Sequence, residues 1–154
     1  MTDTREIPLT QGLVALVDEV DFARVSHHDW CISHGYAVSR LGKSITPRPL
    51  ARFILRLTPD DPLEVDHKNG DPLDNRRNNL RICNRSLNNA NKGKQINNTS
   101  GYKGVTWHAG KWKAQIKINR KNKYLGRFAN KEDAAKAYDS AAREAFGEFA
   151  RTNF

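Results

Sequence analysis

Between Tyr102 and Phe146 the hydrophobic period of the chain changes once, from two residues to about 3.6, and this restricts the fold more than any other feature. In "KWKAQIKI", Trp112, Ala114, Ile116 and Ile118 alternate with Lys113, Gln115 and Lys117. A strand with one face on a core separates such residues cleanly, because its successive side chains point to opposite sides. "YKGVTWH" precedes it across an "AG" tight turn and "KYLGRF" follows, so three antiparallel strands are predicted, apolar on one face and basic on the other. Asn130 then stands as an N-cap with Asp133 three residues on, and "KEDAAKAYDSAAREAF" reads as an alanine-rich helix ended by Gly147. Ala134, Tyr138, Ala141 and Ala145 are expected on its sheet-facing side, where small side chains permit a close approach.

The basic character extends beyond that sheet. From Asn75 to Lys131 there is no Asp or Glu, while Arg and Lys recur throughout, and the 154 residues carry a net charge of +9. A merely solvated surface mixes both signs, so this segregation predicts a polyanionic partner. The length suffices for one ordinary domain or two very small ones. Without a run of about 18 apolar residues or a secretory leader, neither membrane spanning nor export is expected, and a cytoplasmic location is. Cys31 and Cys83, far apart in sequence, do not make a disulfide framework and are both expected to be buried thiols.

Residues 1–57 read as a small β-rich element: "LVALVDEVDF" as a strand, "DWCISHGYAVSR" as a hairpin turning at Gly35, and "LARFILRL" as a short helix or strand. Its histidines, His27, His28 and His34, lack metal-ligand spacing and are expected in surface or packing roles. Prolines then punctuate "TPDDPLEVDH". From Glu64 the chain runs "EVDHKNGDPLDNRRNNLRICNRSLNNANK". Asparagine side chains compete with the backbone for hydrogen bonds, so their abundance signals loops, caps or ligands. "LEVDH" and "NLRIC" are predicted as strands around a "KNGD" turn, with a helix from about Ser86. His67 to Asn79 is twelve residues and Asn79 to Asn88 nine, so a hairpin packed on that helix could bring all three to a common point. Such a site offers an imidazole base beside hard oxygen donors, Asp66 and Asn88, which suit Mg²⁺ rather than zinc. "KGKQINNTSG" reads as a linker.

The stretch "VDHKNGDPLDNRRNNLRICNRSLNNANK" resembles the HNH endonucleases, the ββα-metal nucleases, in the phage-type homing or free-standing version whose last His is replaced by Asn. The resemblance implies that His67 is the general base and that Asn79 steadies the hairpin and the histidine. It implies that Asp66 and Asn88 hold one divalent ion, Mg²⁺ or Mn²⁺; another helix register would put Asn89 or Asn91 in place of Asn88. The first region resembles, more weakly, the N-terminal extension of the same endonucleases. There an "HR" pair often precedes an "IL" run; Ala51 and Arg52 stand here, which leaves that histidine's helper role unfilled.

Residues 102–154, with "YKGV", "KWKAQI", "YLGRF", "EDAAKAYDSAA" and the closing "NF", resemble the plant Apetala/ethylene-response-factor DNA-binding domain. That family lays its sheet in the DNA major groove. The resemblance implies DNA contacts by Lys103, Thr106, His108, Gln115, Lys117, Lys123 and Tyr124, with Lys113 on the same basic strand and Tyr138 reaching phosphate. Where the family favours Arg, this chain has Lys, Thr and Gln, which lack the same bidentate fork for guanine, so the family's GC-rich target is not expected to carry over. Trp107 and Trp112 are open between core and surface.

The expectation is an α+β chain: a nuclease domain over residues 1–92 with its ββα-metal motif at about 62–92, a linker at 93–100, and a DNA-binding domain of three strands and one helix over 101–154. Its function would be metal-dependent hydrolysis of phosphodiester bonds in double-stranded DNA, in a bacterial or phage-infected cell, with no small-molecule cofactor and with a monomer favoured. The rivals are a non-catalytic DNA-binding regulator with a decayed nuclease fold and a structured-RNA binder.

Overall fold

The computed structural model describes residues 3–40 and 46–154, which form two compact units, Met1–Asn84 and Arg85–Phe154. Among the described residues the fold is α+β, with four small antiparallel sheets.

In the first unit β1 (Thr4–Pro8) pairs with β2 (Val14–Asp18), and α1 (Glu19–Val25) follows directly. The strand expected over "LVALVDEVDF" therefore stops at Asp18. With the helix starting at Glu19, its N-cap Asp18 and Asp21 in its first turn both reach Arg77. Both carboxylates are buried, and both are used by Arg77: its backbone N–H donates to Asp18 Oδ2 at 2.7 Å, and its guanidinium grips Asp21 at 2.6 and 2.8 Å. A continued strand would turn successive side chains to opposite faces, and this long-range pairing decides between the two conformations.

β3 (Cys31–Ser33) and β4 (Tyr36–Ser39) form the expected hairpin, with His34 and Gly35 at positive φ, and β5 (Arg48–Pro49) adds a short third strand. Cys83 is buried as expected, whereas Cys31, on the edge strand β3, is exposed. "LARFILRL" resolves as α2 (Leu50–Ile54), whose buried Leu50, Ala51 and Ile54 follow a helical period against Val17, Val25 and Trp30. Arg52 donates to the carbonyls of Thr58, Asp61 and Leu63, fixing the loop that leads into β6 (Glu64–His67). β6 pairs with β7 (Leu80–Cys83).

The second unit begins with α3 (Arg85–Asn91), whose Leu87 and Ala90 join a core with Ile116, Tyr138 and Phe146. β8 (Val105–His108), β9 (Lys111–Ile118) and β10 (Lys121–Phe128) make the expected sheet in the order β10-β9-β8, backed by α4 (Lys131–Phe146). Asn130 caps α4 by accepting from the Asp133 N–H at 2.8 Å, and Gly147 ends it at φ 52°. Ala134, Tyr138 and Ala141 face the core as expected. Ala145 does not; Ala135 and Ala142 are buried instead, because the helix rotates 100° per residue and Phe146 takes the inward position.

Two motif residues have clear physical reasons. At Gly104, φ is +76° and a Cβ would lie 2.0 Å from Tyr138 Cδ2 and 2.7 Å from the Gln115 carbonyl oxygen, so the helix tyrosine packs where only a glycine leaves room. Asp139, buried within α4, accepts from the backbone N–H groups of Asn153 and Phe154 and from the Asn153 side chain at 2.8–2.9 Å, which pins the closing "NF". Asn153 in turn accepts from the Lys103 N–H at 2.7 Å.

Candidate active site and nucleic-acid interface

The β6–β7 hairpin sets Asp66 opposite Arg81 and His67 opposite Leu80. The loop between the strands is closed at its base by the Lys68 N–H donating to the Asn79 carbonyl at 2.9 Å. Asn79, buried, also braces it from within. Its Oδ1 accepts from the Asn69 N–H at 3.0 Å, while Nδ2 donates to Asn69 Oδ1 at 3.0 Å and to the Asp74 carbonyl at 2.7 Å. Asp74 is held by both arms of the Arg76 guanidinium at 2.8 Å, and these bonds, against the cost of burial, hold its carboxyl below the usual range.

β2 reaches this loop through its backbone. Leu16 donates to the Leu73 carbonyl and accepts from the Asn75 N–H, both at 2.8 Å. Asn75, 1% exposed, places Oδ1 3.3 Å from Nε2 of His67. His67 is itself buried, with the Tyr36 ring 6.3 Å away. Burial pushes its imidazole below the ordinary histidine range and outweighs the opposing pull of Asn75, Asp66, Asp71 and Asp74, so it is neutral at pH 7.

Asp66 is buried and ion-paired with Arg81, which aims Nε (3.0 Å) and Nη2 at Oδ2. The first unit thus brings Asp66, His67 and Asn79 onto one hairpin. Asn88 lies half-buried on α3 in the second unit, followed by exposed Asn89 and buried Ala90 and Asn91. Among the described residues no three His, Cys, Asp or Glu side chains group as metal ligands. Taken singly, the Asp66 carboxylate and the Asn88 amide oxygen are both hard donors, of the kind an octahedral divalent ion takes together with water and phosphate. Of the residues around the histidine, Asn75 was not singled out from sequence; one asparagine among many carries no spacing signal.

The outward face of the sheet follows from its register. Thr106, Lys113 and Arg127 form one cross-strand row, His108 and Lys111 another, Gln115 and Tyr124 a third, Lys117 and Asn122 a fourth. Tyr124 is 60% exposed. Arg127 joins this face because a bulge between Tyr124 and Gly126 shifts the phase of β10; strict alternation from Tyr124 would turn it inward. Three expected contacts lie elsewhere. Tyr138 is buried beneath Gly104, and Lys103 donates Nζ to the Ala90 carbonyl at 2.5 Å. Burial, with Arg151 nearby, lowers the Lys103 amine to about 8. Lys123 pairs with buried Ile116 and so shares the helix side of the sheet. Trp107 and Trp112 meet edge to face at 4.9 Å on that same side, Trp107 at the exposed margin and Trp112 against the core.

Among known protein families, the HNH endonuclease family matches residues 58–90. The protein named uncharacterized HNH endonuclease L560, from Acanthamoeba polyphaga mimivirus, is 30% identical over 145 residues, which cover 93% of this chain and 76% of that protein. The chain belongs to the HNH endonuclease family. It is also 43% identical over 70 residues to the dehydration-responsive element-binding protein 2A of Oryza sativa, covering 42% of this chain and 25% of that one. Ethylene-responsive transcription factor ERF084 of Arabidopsis thaliana is 46% identical over 61 residues, covering 36% of this chain and 23% of its own length. The chain thus spans about a quarter of the length of these plant relatives. No solved structure matches.

Proposed function

We propose that this protein hydrolyses phosphodiester bonds in double-stranded DNA, with β6, β7 and α3 serving as a ββα-metal module and the outward face of β8–β10 as its address. The observation that carries the reading is His67: a buried imidazole, neutral at pH 7, on a hairpin whose loop is braced by Asn79. A neutral imidazole takes a proton from water as the water oxygen bonds to phosphorus. The ester bond on the opposite side then breaks, and its oxygen leaves to be protonated by solvent. Asp66 and Asn88 would hold one divalent ion, Mg²⁺ or Mn²⁺, which supplies charge neutralisation for the phosphate and the leaving oxygen. Asn79 keeps the loop from collapsing around the base. One such site cuts one strand, so a monomer nicks.

The sheet supports the addressing role. Thr106, His108, Lys113, Gln115, Lys117 and Tyr124 lie on the outward face with Arg127, giving a basic surface with hydrogen-bonding side chains at groove-reading positions. Joining it to a cutter raises the local concentration of phosphodiester around a general chemistry. The test is conversion of supercoiled plasmid to nicked circle. Activity with Mg²⁺ or Mn²⁺ that chelation abolishes supports the reading. Tight DNA binding with no nicking under any divalent ion would instead favour a DNA-binding regulator.

A further inference from the structure

The first 40 residues contain none of the groups assigned to the chemistry, yet they make several of their most buried polar contacts with one side of the β6–β7 loop. Leu16 bonds the backbone on both sides of Asp74, and Asp18 and Asp21 secure Arg77. Between these anchors lies Asn75, 1% exposed, with its side-chain oxygen 3.3 Å from Nε2 of His67.

The orientation of that amide is fixed by its other end. Asn75 Nδ2 lies 3.2 Å from the Pro72 carbonyl oxygen, which can only accept. Nδ2 must therefore face Pro72, and Oδ1 must face the histidine. An amide oxygen has no proton to give, so the bond to Nε2 forms only if Nε2 carries the hydrogen. In a neutral imidazole the lone pair then belongs to Nδ1.

We propose that Asn75 is a positioning residue that holds His67 in the Nε2–H tautomer with Nδ1 as the basic nitrogen, and that β2 and α1 exist in part to hold Asn75 in place. The inference rests on the reading of His67 as the general base. When Nδ1 takes a proton from water, the imidazole becomes cationic and its Nε2–H bond to Asn75 becomes charge-assisted, so the contact strengthens as the proton moves. No proton passes to Asn75; it begins and ends as a neutral amide. An alanine or leucine at this position would remove the amide acceptor that selects the Nε2–H tautomer. The family-derived role of Asn79 is different: its bonds go to Asn69 and Asp74 and brace the loop.

The experiment reads the tautomer directly, by long-range ¹H–¹⁵N correlation of the His67 ring in the full chain without divalent ions, alongside single-turnover nicking. Wild type is expected to show the Nε2–H pattern. Asn75→Leu is expected to lose that pattern and to nick about 10- to 100-fold more slowly, the usual cost of removing a group that orients a reactive side chain, with unchanged affinity for DNA. Asn75→Asp, which keeps an acceptor, is expected to retain the Nε2–H pattern and more of the rate than Asn75→Leu. A wild-type ring in the Nδ1–H form overturns the inference, and this measurement does not depend on whether any variant folds. An unchanged tautomer and rate in Asn75→Leu overturns it as well. Failure of the underlying reading looks different: His67→Ala would then nick at the wild-type rate, whatever the tautomer.

Discussion

Replacing Asn79 by alanine deletes three hydrogen bonds at once: Asn69 N–H to Oδ1, and Nδ2 to Asn69 Oδ1 and to the Asp74 carbonyl, at 2.7–3.0 Å. Asn79 is 7% exposed, so water does not replace these partners freely. At about 1 kcal/mol net for each bond, Asn79→Ala should destabilise the first unit by about 3 kcal/mol. Its neighbour Asn78 is exposed, and Asn78→Ala should stay within about 0.5 kcal/mol of wild type. Urea denaturation gives the energies, and amide exchange at Lys68, Asn69 and Gly70 shows where they are lost. The loop should open in Asn79→Ala, and nicking should fall with it because His67 forms one end of that loop. Equal denaturation midpoints and equal exchange for the two variants would refute the assignment of Asn79 as the internal brace.

Lys103 gives a pH dependence with a definite sign. Its folded value of about 8 lies below the ordinary 10.5. Below pH 8 both states are charged, and the burial penalty is constant; between about 8 and 10.5 the folded state sheds the proton first, so stability should rise with pH there. Lys103→Met should abolish that rise in thermal melts of the full chain, and a rise that persists would contradict the assignment. DNA binding should weaken with salt. The four outward cations Lys111, Lys113, Lys117 and Arg127 contribute a slope of about −3.6 in log K against log salt, and Arg127→Ala should reduce it by about 0.9; a slope near zero would contradict a phosphate-facing sheet. Gln115→Ala should relax sequence preference at one base position by about 1 to 3 kcal/mol, whereas Lys111→Ala should weaken all sequences alike, as measured by selection from a randomised duplex pool.

The sequence was most legible where the physics is local. The alternation of β9, the Ala109–Gly110 turn with both residues at positive φ, and the Asn130 cap each depend on neighbours in the chain, and each stands where pattern alone puts it. The β6 and β7 strands around Asp66, His67 and Asn79 were legible for the same reason. What was hidden depends on partners far away. α1 looks like a strand because Val20 and Phe22 favour extended structure, and its helix is explained only once Arg77, more than fifty residues on, is seen to hold Asp21. The phase change that turns Arg127 outward comes from a single bulge in β10, invisible to a period of two. Tyr138 and Lys103 were expected as DNA contacts because the resemblance to the plant DNA-binding domain implied them. Tyr138 is buried where Gly104 leaves room for its ring, and Lys103, half-buried, gives its amine to the Ala90 carbonyl.

The most direct measurement of the central claim is the nicking rate of His67→Ala, compared with wild type at saturating protein on the same supercoiled DNA with Mg²⁺ or Mn²⁺. If the buried imidazole is the base, the rate should fall about 10²- to 10⁴-fold while DNA affinity stays unchanged. Nicking by His67→Ala at the wild-type rate would contradict the account.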